Sequence, residues 1–234
     1  MLEAILFDLD GTLADTDSIH FAVWQDILVR YDLDIDRAFY RQRISGRTNS
    51  KIIKDIIPQL TLEDAWQLST EKEETYRRLA NSLLPTPGLN KLIDLTDQAS
   101  IKRAVVTNAP EDNAIYMLKV LRLTDTFPIM IMAKDAPPGK PDPAPYKLAL
   151  SRLGVRSKNG LGRLNNVIAF EDSAAGIRSA VGAGIYTIGI TSSHPAKDLL
   201  DAGASMTIND FTDKQLWELL DSKTKASSRR SLSN

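Results

Sequence analysis

The stretch "ILFDLDGTLADTD", residues 5–17, passes from three apolar residues (Ile5, Leu6, Phe7) into Asp8, Asp10, Thr12, Asp15 and Asp17, with Gly11 among them. A short unbroken apolar run reads as a strand buried on both faces. The glycine reads as the turn that leaves it. Two carboxylates two residues apart therefore stand at the carboxyl end of a buried strand. That placement needs a chemical reason.

Working outward, similar apolar runs recur at Ala4–Phe7, Ala104–Val106, Ile129–Met132, Val167–Phe170, Tyr186–Ile190 and Met206–Ile208, with helical spacing between most of them. Such alternation predicts an α/β fold built on a doubly wound parallel sheet, whose chemistry gathers at the carboxyl ends of the strands. One stretch breaks the alternation. Between Asp15 and Pro87 there is no strand pattern, and helices are expected at Ser18–Tyr31, Asp36–Ile44, Ser50–Ile57 and Leu62–Leu84. Asp15 or Asp17 is the expected cap of the first, and Thr61 with Asp64 caps the last. "LPTPGL" (84–89) reads as a hinge. The organisation expected is a discontinuous core, 1–14 and 88–234, carrying an inserted α-helical cap domain at 15–87. The polar tail 223–234 is expected to fray.

The bulk numbers exclude several classes. Among 234 residues, 29 Lys+Arg oppose 30 Asp+Glu, without the basic excess of a nucleic-acid binder. Cys is 0, so there are no disulfides or thiolate metal sites. No apolar run reaches the roughly 18 residues of a membrane span, and no basic leader precedes the first strand. The expectation is a cytoplasmic protein with no membrane partner.

"DLDGT" alone is ambiguous. As a calcium loop it fails: counted from Asp8, the sixth residue is Leu13 and the twelfth is Ile19, where glycine and glutamate are needed. Three further stretches give it meaning. "AVVTN" (104–108) ends a strand in Thr107 and Asn108. "GKPDP" (139–143) places Lys140 before a helix start. "VIAFEDSAAGI" (167–177) ends a strand in Glu171 and Asp172. Each can be an ordinary cap or surface charge, but all fall where an α/β site gathers.

Two carboxylates about 4 Å apart repel by roughly 4 kcal/mol at an effective dielectric near 20. Asp172 adds to that, so the cluster calls for a cation, and hard oxygen donors suit Mg²⁺. Thr107, Asn108 and Lys140 supply donors for a phosphoryl group. Neither G-x-x-x-x-G-K-[ST] nor G-x-G-x-x-G occurs, so no nucleotide site is indicated. What fits is phosphoryl transfer with an aspartate nucleophile and a second carboxylate handling protons.

In order and spacing these motifs resemble the haloacid dehalogenase (HAD) superfamily, over about residues 2 to 220, in the subgroup with a helical cap. The resemblance implies a Rossmann-like core. It implies Asp8 as nucleophile, Asp10 as acid/base, and Thr107 and Lys140 on the phosphoryl group. It implies Mg²⁺ held by Asp8, the Asp10 carbonyl and Asp172, with Glu171 at or near the metal. It also implies a small-molecule phosphate ester as partner and a monomer. "TDSIHFAVW" (16–24) looks like the cap entry of β-phosphoglucomutases and some sugar-phosphate phosphatases, which makes His20 and Trp24 substrate-side candidates. "ISGRTNSKI" (44–52) looks like the cap specificity loop, with Gly46 permitting close approach and Arg47 a candidate for a distal anionic or hydroxyl group.

Asp10 argues for phosphate-ester chemistry. Thr12 and "TNA" look more like the phosphatase branch than the mutase branch. The reading is a Mg²⁺-dependent sugar-phosphate phosphatase, with a mutase as alternative and an idle binding protein third. A hinged cap is expected to close and exclude water.

Overall fold

Six apolar strands pair edge to edge in the order β3-β2-β1-β4-β5-β6, all parallel. They are β1 (Ala4–Phe7), β2 (Lys102–Val106), β3 (Met130–Ile131), β4 (Leu164–Glu171), β5 (Ile185–Ile190) and β6 (Met206–Ile208). The computed structural model describes residues 1–155 and 164–225. Strand direction reverses its winding between β1 and β4, so the crevice at their carboxyl ends is the switch point where α/β sheets bind ligands.

The period of two along each strand sorts side chains onto two covered faces. Ile5, Phe7, Val105, Ile168 and Phe170 point one way, into a cluster with Leu92, Met117 and Leu216. Those three come from α5 (Leu89–Gln98), α6 (Glu111–Val120) and α10 (Lys214–Lys225). Ala4, Leu6, Ala104, Val106 and Ala169 point the other way, against Tyr146 and Ala180. These sit on α7 (Ala144–Arg152) and α8 (Ala174–Gly182), with α9 (Ala196–Asp201) beyond. Phe7 stacks on Phe170 at 5.5 Å between ring centroids, which ties the two strands that flank the crevice.

After β1 the chain is helical through α1 (Asp17–Val29), α2 (Arg37–Arg43), α3 (Asn49–Ile56) and α4 (Leu62–Leu79). Val23, Trp24, Leu28, Tyr40, Ile52 and Leu68 pack as an apolar cluster of their own. The chain leaves and re-enters the sheet side by side. Ala14 bridges Pro85, Thr86 N–H donates to the Leu13 carbonyl at 2.8 Å, and the Thr86 hydroxyl to that of Thr12 at 2.7 Å. Gly88 (φ +81°) opens α5, where a Cβ would lie 2.6 Å from Phe211 backbone.

Three expectations change. Helix α4 stops at Leu79, five residues early, because Asn81 and Ser82 are poor helix formers and Pro85 forces the chain extended before it. The cap of α1 is Thr16, not an aspartate, and its hydroxyl donates to Asp10 instead of to the helix. Residues 223–225 continue α10, while the rest of the polar tail, 226–234, lies outside the described residues.

Candidate active site

Asp8 follows β1 directly, its N–H fixed to the Phe170 carbonyl at 2.9 Å. Thr107 follows β2, and Glu171 and Asp172 close β4. Parallel pairing of these strands therefore sets the four side by side. Lys140 arrives from the loop before α7. Asn108 holds that loop by a reciprocal clamp, its Oδ1 accepting from Lys140 N–H at 3.0 Å and its Nδ2 donating to the Lys140 carbonyl at 3.2 Å. The buried Lys140 ammonium then donates to Asp8 Oδ1 at 2.5 Å and Glu171 Oε1 at 2.6 Å. Tyr146 donates to the same Glu171 oxygen at 2.6 Å.

Asp8, Glu171 and Asp172 each bring an oxygen within 4.8 Å of the others. Three buried carboxylates face one ammonium. Burial, outweighing Lys140 and helped by Glu171, pushes the Asp8 carboxyl up to about 8. Burial and then the charges of Asp8 and Glu171 raise Asp172 well above the carboxylate range. Glu171 Oε2 is buried without a hydrogen-bond partner among the described residues. A surplus of buried negative charge on oxygen donors alone fits a hard divalent cation such as Mg²⁺. Gly11 (φ +74°) makes room for the cluster, because a Cβ there would fall 2.1 Å from Asp172 Oδ2.

The Asp10 carboxylate is not part of that group. It turns to the helical segment, where Oδ1 accepts from Thr16 at 2.9 Å and Tyr76 at 3.3 Å and meets His20 Nε2 at 3.1 Å. His20 Nδ1 lies 2.9 Å from the Lys72 ammonium, which can only donate. So Nδ1 is the acceptor, and the ring carries its proton on Nε2, aimed at Asp10. The His20 ring lies flat on Tyr76, 4.1 Å between centroids. Burial pushes Asp10 up, but the His20 and Thr16 hydrogen bonds and the nearby positive charge outweigh it, and the carboxyl sits below its ordinary value. Any service of Asp10 to a metal falls to its main-chain carbonyl.

These groups open onto a cavity of about 560 Å³ between the sheet crevice and the helices. Asp8, Asp10, Thr107, Asn108, Lys140, Asp172, His20, Trp24, Gly46 and Arg47 all reach its wall, while Glu171 lies behind it. Trp24 is 1% exposed and belongs mainly to the helical core. The Thr107 hydroxyl accepts from Ala109 N–H at 2.9 Å. Gly46 (φ +72°) touches the sheet side through its carbonyl, which accepts from Asn108 Nδ2 at 3.0 Å. Arg47 reaches the rim with its guanidinium already engaged by Asp55 at 3.0 Å and by the Arg43 and Lys51 carbonyls.

Sequence reasoning passed over Lys72, Glu73 and Tyr76. The signal was present: on α4 the buried positions are Leu68, Lys72, Glu73 and Tyr76, so charged residues occupy an inward stripe at helical spacing.

Comparison with known proteins agrees with this geometry. The family model described as haloacid dehalogenase-like hydrolase matches residues 5–190. A phosphorylated carbohydrates phosphatase of Thermotoga maritima is 31% identical over 207 residues, 87% of this chain and 92% of that protein. A β-phosphoglucomutase of Bacillus subtilis is 27% identical, over 94% of each chain. The solved β-phosphoglucomutase of Clostridium difficile superposes with a TM-score of 0.81, covering 99% of this chain and all of that one, at 23% identity, which speaks for the fold.

Proposed function

Because the chain belongs to the haloacid dehalogenase-like hydrolases, whose phosphatase members it matches over most of its length, we propose that this phosphoric monoester hydrolase cleaves a small sugar phosphate through an aspartyl-phosphate on Asp8. One observation supports this most: Asp8 and Asp10, two residues apart, face one cavity with opposite treatment. Asp8 is gripped by Lys140, as a nucleophile at the phosphoryl group would be. Asp10 is held by neutral donors that also steady a proton carrier.

In the first step an Asp8 oxygen attacks phosphorus, and the bond from phosphorus to the ester oxygen breaks. Asp10 gives that oxygen a proton, which it takes up once the substrate's negative charge stands beside it. In the second, Asp10 withdraws a proton from water, the water oxygen attacks phosphorus, and the bond to Asp8 breaks to release phosphate. Thr107 and Lys140 bind the phosphoryl oxygens. Asp8, Asp172 and the Asp10 carbonyl, with Glu171 behind them, would hold Mg²⁺, which supplies charge neutralisation for the phosphoryl oxygens. His20 positions Asp10, with Lys72 fixing its tautomer.

Phosphate release from a sugar-phosphate panel, with Mg²⁺ and after chelation, tests the proposal. Asp8→Asn is expected to lower kcat by more than about a thousandfold, as loss of a nucleophile does elsewhere. Wild-type turnover in that variant would overturn the assignment. A mutase would give isomerised sugar phosphate and little free phosphate.

A further inference from the structure

Four lysines and arginines line the cavity among the described residues: Arg47, Lys72, Lys134 and Lys140. Each is already matched by a carboxylate. Lys140 meets Asp8 and Glu171, Arg47 meets Asp55, and Lys134 meets Glu111. Lys72 is the buried case. Its ammonium lies 3.0 and 3.1 Å from the two oxygens of Glu73, with the side chains 4% and 8% exposed. Glu73 also accepts from Asn49 and Asn113 at 2.5 Å each. The helical wall is thus neutral in sum, and Asn49 with Ser69 offers it uncharged hydrogen-bonding groups.

We propose that this charge cancellation makes the enzyme select phosphate monoesters whose far end is uncharged and hydroxylated, and reject bisphosphates. The inference rests on the phosphatase reading of Asp8. A second phosphoryl group brought to this wall finds no spare cation. It must stay partly desolvated without a counter-charge, or pull Lys72 from Glu73 and leave that carboxylate buried alone. Hydroxyl groups meet neither penalty, since they exchange water for amide and hydroxyl partners. The same wall bears on the alternative activity. A mutase that works through a sugar bisphosphate has to hold the phosphoryl group that is not reacting, and here the wall facing Asp8 is closed to it. Glu73 acts in this as a positioning residue, through Lys72.

The test compares kcat/KM for glucose 6-phosphate and glucose 1,6-bisphosphate with Mg²⁺. The wild type is expected to favour the monophosphate by more than about tenfold. Glu73→Gln frees the Lys72 charge and is expected to narrow that ratio about tenfold, chiefly through a lower KM for the bisphosphate. Loss of a merely structural contact would reduce both substrates together and leave the ratio alone. Asp55→Asn, on the exposed side of the helices, frees Arg47 without touching the buried network and acts in the same direction. A wild-type enzyme that handles the bisphosphate as well as the monophosphate overturns the inference, as does a ratio unmoved in both variants. Hydrolysis of p-nitrophenyl phosphate, which has no hydroxylated end, reports the phosphatase reading separately. If neither it nor any sugar phosphate is hydrolysed, that reading fails. The preference is then judged from the two sugars' dissociation constants by calorimetry.

Discussion

Lys140 carries an unequal share of the site's electrostatics. Its ammonium is the single positive group between two carboxylates it touches and a third, Asp172, in the same cluster. Removing one partner of a buried charged group leaves the rest uncompensated, which costs about 3–5 kcal/mol. Lys140→Met is expected to destabilise the metal-free protein by about that amount, with Mg²⁺ recovering part of it; urea unfolding with and without the ion measures both. Single residues were unevenly readable in the sequence. Asp8, Thr107, Lys140 and Asp172 each stand beside a strand end or helix start, so local pattern marked them, and the sheet brings them to one crevice. Glu73 and Lys72 carry no such marker. Their roles depend on α4 packing against α1 and α6, which only the tertiary structure supplies. Thr12 shows the opposite error. It leaned the reading toward a phosphatase, yet its side chain is buried outside the cavity wall and its hydroxyl meets no partner among the described residues.

At the scale of elements, the loop between α2 and α3 meets the N-terminus of α8 at Gly46. A Cβ there would lie 2.6 Å from Ser173 Oγ, and φ is +72°, where only glycine is unstrained. Gly46→Ala is expected to raise KM severalfold by holding the helices off the sheet, with a smaller effect on kcat. Steady-state kinetics checks this, and an unchanged KM would mean the contact does not survive in solution. The strands were the most legible elements, because a parallel sheet covered on both faces needs unbroken apolar runs. Those runs place β1 and β6 to the residue. The early stop of α4 and the cap of α1 were harder. Asn81 and Ser82 interrupt a pattern whose apolar periodicity continues to Leu84. Thr16 gives its hydroxyl to Asp10, a partner six residues back that local rules do not consider.

For the whole molecule, the buried carboxylates tie stability to pH and to metal. Asp8 is pushed up to about 8 and Asp172 is raised, by burial first and mutual repulsion next. Folded protein then holds protons that the unfolded chain, with carboxyls near 3.9, has already released. Their contribution is complete below that value and is lost as pH rises through 8. Asp10 is lowered and acts in the opposite sense, but only at acid pH. The metal-free protein is therefore expected to lose Tm between pH 6 and pH 9, while the Tm gain from Mg²⁺ grows over the same interval. Calorimetry at several pH values reads both, and a pH-independent Mg²⁺ gain would contradict the placement of the ion among these groups. The two chain crossings, spliced at Ala14 and Pro85, bear on motion of the same assembly. A body tethered by one strand can swivel about any axis, like a ball joint. Tethered by two that are bonded to each other, it keeps one easy rotation, like a door on its pin. Every swing then returns His20 to the same spot over Asp10, so accurate reassembly is a property of the frame and needs no search.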